Sequence, residues 1–300
     1  MNLIIAIPFD ESLGEFIGKK GSENSITFYN RKYNSDLIVG IMPSSIAEKF
    51  YALPQCLLVA DAVLVSTKSI DKDLGEVLVA CMLLKKPTIL TKDNDVSTLL
   101  SAMQPKNFSF SSQEELLDRI ISIKSADPST EKRVDIDRAF NVKGIGTVAL
   151  GVVTKGTVKV HDTLYHNSGK LVSIRSIQSQ DEDIKEAASG TRVGLALKNI
   201  EDSGIEKGDI LANVQAKSGR RLKLEVSKSP FVKEEIEIGK CYSIATGFSF
   251  SNATVESVEG NRIILKLEKQ ISAEIGDNSF IMRTIIPRIF ASGRILEISP

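Results

Sequence analysis

Gly14-Glu15-Phe16-Ile17-Gly18-Lys19-Lys20 sets glycines beside lysines in a pattern that could cradle a phosphate. Such a loop works when backbone amides surround the phosphates, a lysine reaches the outer groups and a hydroxyl holds Mg²⁺. That chemistry is written Gly-x4-Gly-Lys-Ser/Thr. Here the gap between glycines is one residue short, and Lys20 stands in the hydroxyl position. The run reads instead as a helix end capped by Gly18, with solvated lysines. His161 and His166 are lone loop histidines without carboxylate or cysteine company, so both are expected on the surface. No Ser-His-Asp or metal constellation assembles from the sequence. Cys56, Cys81 and Cys241 lack any pair or metal spacing and read as small buried hydrophobes. Arg220-Arg221, with Lys217 and Lys223 nearby, form a basic cluster that either faces RNA or is simply solvated.

The elements that must position these groups change character along the chain. The apolar runs Leu3–Ile7, Asp36–Ile41, Ala62–Val65, Pro87–Leu90 and Phe108–Phe110 read as strands, the first four as buried parallel ones. Leu74–Leu84 is apolar nearly all round and predicts a helix packed on a sheet. A second helix is predicted through Ile123 with Ser111 or Ser112 as its N-cap. Alternating strands and helices imply an open α/β sheet. Ser125–Thr130 is a polar, proline-containing linker. Beyond it, period-two patterning with glycine punctuation takes over, as in Val148, Leu150 and Val152 followed by Val158 and Val160. Lys155-Gly156 reads as a hairpin turn. A polar stretch, Gln215–Arg221, separates two β units suited to barrels.

The chain of 300 residues is long enough for two or three domains, and its formal net charge of zero excludes a global basic field. Split at residue 127, the first part has 13 Lys+Arg against 16 Asp+Glu and the remainder 25 against 22, so only the second part leans basic. No signal peptide or long uncharged apolar run is present, which implies a soluble cytoplasmic protein with no membrane partner.

Arg138-Ala139-Phe140-Asn141-Val142-Lys143-Gly144-Ile145-Gly146-Thr147-Val148 resembles the Arg-x-Phe-x-Val-x-Gly-x-Gly-Thr-Val opening of domain 2 in translational GTPases. The likeness continues through Val172–Gln178, Gly190–Leu197 and Lys207–Ala212, and is looser in the last third, at Ser229-Pro230-Phe231, Gly276-Asp277 and Arg288–Gly293. It resembles most the selenocysteine-specific branch of the elongation factor Tu family. The resemblance implies a degenerate α/β P-loop-GTPase-like domain over residues 1–127. Two β-barrels would follow, like elongation factor Tu domains 2 and 3, over 128–218 and 219–300. Selenocysteine-specific factors carry a further C-terminal domain; the chain ends at Pro300, so recognition of a dedicated RNA hairpin is not expected by that route.

Against the family's nucleotide motifs the first domain departs at each step. The first strand runs into Pro8-Phe9-Asp10-Glu11-Ser12-Leu13-Gly14, where Pro8 lacks an amide donor and Asp10 and Glu11 would repel phosphate. Ile41-Met42-Pro43-Ser44-Ser45 stands where the family has Asp-x-Pro-Gly-His; only the proline matches, and isoleucine cannot ligate Mg²⁺. Thr91-Lys92-Asp93-Asn94 stands where Asn/Thr-Lys-x-Asp reads guanine. Asn94 there brings a donor where guanine also donates; the stretch is a vestigial guanine motif or an ordinary strand-to-loop turn. The expectation is a pseudo-GTPase with no catalytic residue, cofactor or metal.

The resemblance also implies RNA contacts from the barrels. Candidates are Arg138, Lys143, Arg175 and Arg192 in the matched segments, and Arg220 and Arg221 between the barrels. The alternative for Arg138, Arg175 and Arg192 is structural, bonding loop carbonyls. Arg283, Arg288 and Arg294 carry the same ambiguity. The favoured function is a non-catalytic partner of tRNA, the ribosome or another translation component. The alternatives are a divergent elongation factor that still binds GTP and Mg²⁺, and a protein-interaction scaffold with no RNA role.

Overall fold

The computed structural model describes residues 2–34, 36–45, 50–123, 130–201 and 204–300. Its first third contains β1 (Asn2–Ala6), α1 (Glu11–Ile17), β2 (Lys19–Glu23), β3 (Ile26–Tyr33), β4 (Asp36–Pro43) and α2 (Ala52–Val59). Next come β5 (Ala62–Val65), α3 (Lys72–Leu84), β6 (Thr88–Thr91), α4 (Ser97–Met103), β7 (Phe108–Ser111) and α5 (Leu116–Ile121). They build one seven-stranded sheet ordered β2-β3-β4-β1-β5-β6-β7. The strands from β4 through β1 to β7 run parallel. The expected apolar runs form these strands because both sheet faces are covered, and β1, β4, β5 and β6 are almost wholly buried.

One local expectation needs correction, and one part of the sheet was not expected. The β2–β3–β4 antiparallel edge was not foreseen: Ile26–Tyr33 loses its apolar pattern halfway, where the strand leaves the core. The last helix starts at Leu116 rather than after Ser111 or Ser112. Ser111 belongs to β7, and Glu115 precedes the helix without a side-chain cap. Gly18 does close α1, but its φ of 176° is extended, not left-handed. Glycine is required there because a Cβ would lie 2.3 Å from the Asn30 carbonyl oxygen. The expected linker and the boundary at residues 127 and 128 lie mainly outside the described residues.

The second third contains β8 (Arg133–Val142), β9 (Gly146–Lys155), β10 (Thr157–Lys159), β11 (Thr163–His166) and β12 (Leu171–Ser179). It ends with β13 (Glu182–Ile184), β14 (Glu186–Ala188), β15 (Arg192–Lys198) and β16 (Ile210–Ala212). The sheet β11-β16-β8-β9-β15-β12-β13 closes on itself through β11–β12. Gly144 and Gly146 take φ of 84° and 96° and turn β8 into β9. Gly156 also has positive φ, but it makes no hairpin: β10 leaves β9 and pairs with β14. The last third is a closed barrel of β17 (Lys217–Lys228), β18 (Cys241–Thr246), β19 (Ser249–Glu259), β20 (Arg262–Ala273), β21 (Asn278–Met282) and β22 (Ile289–Ser299). Strand β17 already runs from Lys217, so most of Gln215–Arg221 is strand rather than a break.

The first domain packs against both barrels. One apolar cluster joins Leu53, Leu57 and Val77 of α2 and α3 to Phe248, Phe280 and Ile289 of the last barrel. Among the described residues no helix is long and apolar enough to cross a membrane.

Candidate functional site

At the carboxyl ends of β1, β4 and β5 lies a cavity of about 540 Å³. Open α/β sheets bind ligands in this position. Its walls carry Asp10, Glu11, Asp71 and Asp73 against Lys68. Asp10 caps α1 from a left-handed backbone, φ 75°. Its carboxylate accepts from the Ser12 amide at 3.2 Å, the Ser12 hydroxyl at 2.5 Å and Ser66 Oγ at 2.7 Å, and pairs with Lys68 Nζ at 3.0 Å. Burial opposes ionisation of Asp10, but the bonds from Ser12, Ser66 and Lys68 outweigh it and hold the carboxyl below the usual range. A fixed negative charge therefore stands where helix amides would meet a phosphate. Ile41 and Met42 are buried in β4 and offer no oxygen ligand.

Thr91, Lys92 and Asn94 do not line this cavity. The Asn94 amide donates both its bonds inward, to the carbonyls of Thr67 at 2.9 Å and Lys68 at 2.7 Å. Thr91 Oγ1 accepts from the Thr67 amide at 2.8 Å and donates to Asp93 at 2.5 Å. These groups staple the loop after β6 to the loop after β5, and Lys92 is exposed. Among the described residues no three of His, Cys, Asp and Glu converge as a metal site.

A second cavity, about 610 Å³, opens where all three domains meet. Ser25, Tyr51 and Gln55 come from the first domain, Glu206 and Lys207 from the first barrel, and Arg220, Phe250 and Lys269 from the second. Three cations face it against one carboxylate. Lys207 Nζ donates to Ser25 Oγ at 2.8 Å and lies 5.9 Å from the Phe248 ring centroid. Tyr51 and Phe250 pair with centroids 5.3 Å apart. Gln55 is 2% exposed; its Nε2 donates to the Phe248 carbonyl at 2.6 Å, while its Oε1 has no partner.

The sequence candidates separate on this frame. Arg220 lines the groove; Arg221 lies beside it and pairs with Glu256 at 2.6 Å. Lys143 lies in the exposed β8–β9 turn, and Arg175 of β12, also exposed, donates from Nη1 to the Ile145 carbonyl of that turn at 3.1 Å, as the structural alternative for it expects. Arg138 is exposed over the Phe140 ring. Arg192 is not available to RNA. Its side chain, 11% exposed, lies in the seam between the first domain and first barrel, 2.7 Å from Asp137 and 3.8 Å above the Phe28 ring centroid. Burial lowers its pKa, with Asp137 opposing. Arg288 is likewise internal, bound to Glu76 and Asp73 of α3.

His166 corrects a further expectation. It is 3% exposed, with Nε2 3.0 Å from Asp209 Oδ2 and Nδ1 2.8 Å from Ser168 Oγ. Ser168, His166 and Asp209 are therefore neighbours, but Nε2 makes no hydrogen bond to the carboxylate. Asp209 accepts from the Glu206 amide and from Asn167, whose Oδ1 accepts from the Ile210 amide, and these bonds fasten the β11–β12 turn to the start of β16. None of Ser168, His166 and Asp209 lines either cavity. His161 is exposed as expected. Sequence reasoning missed Gln55, Tyr51 and Lys269. For Gln55 a signal existed, a lone amide within the apolar run of α2.

Comparison with known proteins agrees with this architecture. Residues 146–212 match the family described as Elongation factor Tu domain 2. The uncharacterized protein MJ0325 of Methanocaldococcus jannaschii is 31% identical over 277 residues, 89% of this chain and 90% of that protein. A selenocysteine-specific elongation factor of the same organism is 31% identical over 192 residues, 55% of this chain but 41% of that factor. The chain thus matches less than half the length of that relative. Among solved structures, translation elongation factor SelB from Methanococcus maripaludis, in complex with the GTP analogue GppNHp, superposes with a TM-score of 0.81. It is 22% identical, covering all of this chain and 80% of that one.

Proposed function

This chain belongs to the translational GTPase superfamily, beside the selenocysteine-specific elongation factors, and from that premise we propose that it works without a GTPase cycle, binding tRNA or ribosomal RNA in its three-domain groove. The carrying observation is the exchange of sign between the two cavities. Asp10, seated on Ser12, Ser66 and Lys68, puts a carboxylate where a triphosphate would need donors. Lys207, Arg220 and Lys269 put cations, beside Tyr51 and Phe250, where no nucleotide motif is expected. Phosphates suit the cations and bases suit the rings. The exposed Arg138, Lys143 and Arg175 extend the RNA-facing surface in this reading, and the protein acts in the cytoplasm with translation components.

Calorimetric titration with GTP and Mg²⁺ tests the first half. No heat beyond dilution is expected; submicromolar binding, or GTP turnover above a blank that is lost in Lys92→Ala, overturns it. Filter binding of tRNA across salt concentrations tests the second. Neutralising three phosphates gives a log–log slope of roughly −2 to −3. A divergent GTP-binding factor is the second reading, favoured by the cavity that persists at the strand ends. A flat salt response with no RNA retained favours the third, a protein scaffold.

A further inference from the structure

We propose that β7, an outer strand of the seven-stranded sheet, pairs antiparallel with β7 of a second copy of this chain. The two edges of that sheet, β2 and β7, are built differently. An edge strand presents unpaired main-chain groups that accept a strand from elsewhere, so edges are normally blunted by charge, bulges or proline. Strand β2 is blunted. Its residues, Lys19–Glu23, are all exposed, include two lysines and a glycine, and lose regular register against β3 between Lys20 and Glu23. Strand β7 has no such protection. Phe108-Ser109-Phe110-Ser111 carries no charge, glycine or proline, and it keeps regular register with β6 throughout.

The main chain of β7 is half used. The Asn107 carbonyl accepts from the Thr88 amide at 2.9 Å, and bonding direction alternates along a parallel strand. The amides and carbonyls of Phe108 and Phe110 therefore point away from β6, where no strand receives them among the described residues. Phe108 packs on the core beside Leu99, Leu100 and Met103 of α4. Phe110 follows two residues on, on the same face, and is 43% exposed. Helix α4 itself buries no residue fully. A two-fold axis normal to the sheet pairs the strand antiparallel with its copy and closes the assembly. Centred on Phe110, that register lets the two Phe110 residues exchange both main-chain bonds and sets their rings side by side. It also brings Lys106, before the strand, towards Glu114, after it, in the other copy. Both are exposed, and neither side chain has a partner among the described residues. A segment whose charges complement its own inverse selects a second copy over an unrelated strand. No residue of β7 lines either cavity, so the inference stands apart from RNA and nucleotide binding.

Sedimentation equilibrium tests this on the purified full chain, freed of nucleic acid and kept reduced so that the exposed Cys241 cannot link copies. The apparent mass is expected to rise with concentration towards twice that of one chain, and less steeply at high salt. Phe110→Pro removes the outward amide without touching a bond to β6, and should abolish the rise. Lys106→Glu and Glu114→Lys should each weaken dimerisation about tenfold, since each turns two attractions into repulsions. The two reversals together in one chain should restore it. Circular dichroism and thermal unfolding check that each variant folds; if Phe110→Pro does not, the charge reversals decide. A single-chain mass at every concentration overturns the inference and leaves the edge to a strand of another protein. A dimer that Phe110→Pro and both single reversals leave intact also overturns it, as does a double reversal that stays as weak as the single ones.

Discussion

Asp10 shows how one side chain redefines a site. The carboxylate caps α1 and ties together loops more than fifty residues apart. Asp10→Ala should destabilise the protein by about 1 kcal/mol, the ordinary cost of a lost N-cap, read from urea unfolding. Its hydrogen bonds hold the folded carboxyl below the ordinary aspartate value, so the folded state binds its proton less tightly than the unfolded chain does. The contribution is therefore full above the unfolded pKa and disappears as pH falls through the folded one. Below about pH 4 the gap between wild type and Asp10→Ala should close. On the groove, Lys207→Ala, Arg220→Ala and Lys269→Ala should each weaken RNA binding across sequences and reduce the salt slope by about one. Retained affinity and slope in all three would remove the groove from the proposal. Asp10 and Glu11 already stood out in the sequence as the wrong charge after a first strand; the partners Ser66 and Lys68 did not.

At the scale of elements, the strands that sequence patterning located are those buried on both faces, where apolar runs are continuous. Strand β3 escaped because it begins in the core and ends at the surface. The approach of α1 to β3 depends on Gly18 having no side chain. Gly18→Ala should cost about 1–3 kcal/mol by overpacking, since the Cβ meets backbone rather than a movable side chain. Thermal unfolding checks this, and a neutral result would mean that α1 shifts freely. Conversely, α3 was legible as a packed helix, but its charged positions were not legible as partners of Arg288. Glu76 interrupts the apolar run like any solvated residue would.

For the whole molecule, ion pairs set in the seams join the domains, the most buried of them centred on Arg133. Arg133 is 5% exposed and contacts Asp135 and Asp277 at 2.8 Å and Glu274 at 3.3 Å. These carboxylates raise its pKa against the effect of burial. Arg133→Ala leaves them facing one another and should cost about 3–5 kcal/mol. It should also split a single denaturant transition into separate barrel transitions. A single transition with an unchanged midpoint would show that the barrels do not depend on this contact.

The sequence by itself determined the succession of an α/β unit and two β units, and the erasure of the nucleotide motifs. Both are properties of neighbours along the chain: periodicity sets which face a residue shows, and a missing glycine or aspartate is missing in any fold. Only the tertiary structure decided that Arg192 and Arg288 are internal while Lys207, Arg220 and Lys269 converge. An arginine reads the same in sequence whether water or a buried carboxylate receives it. The choice is made when distant segments pack and leave some charges matched inside and others facing a groove.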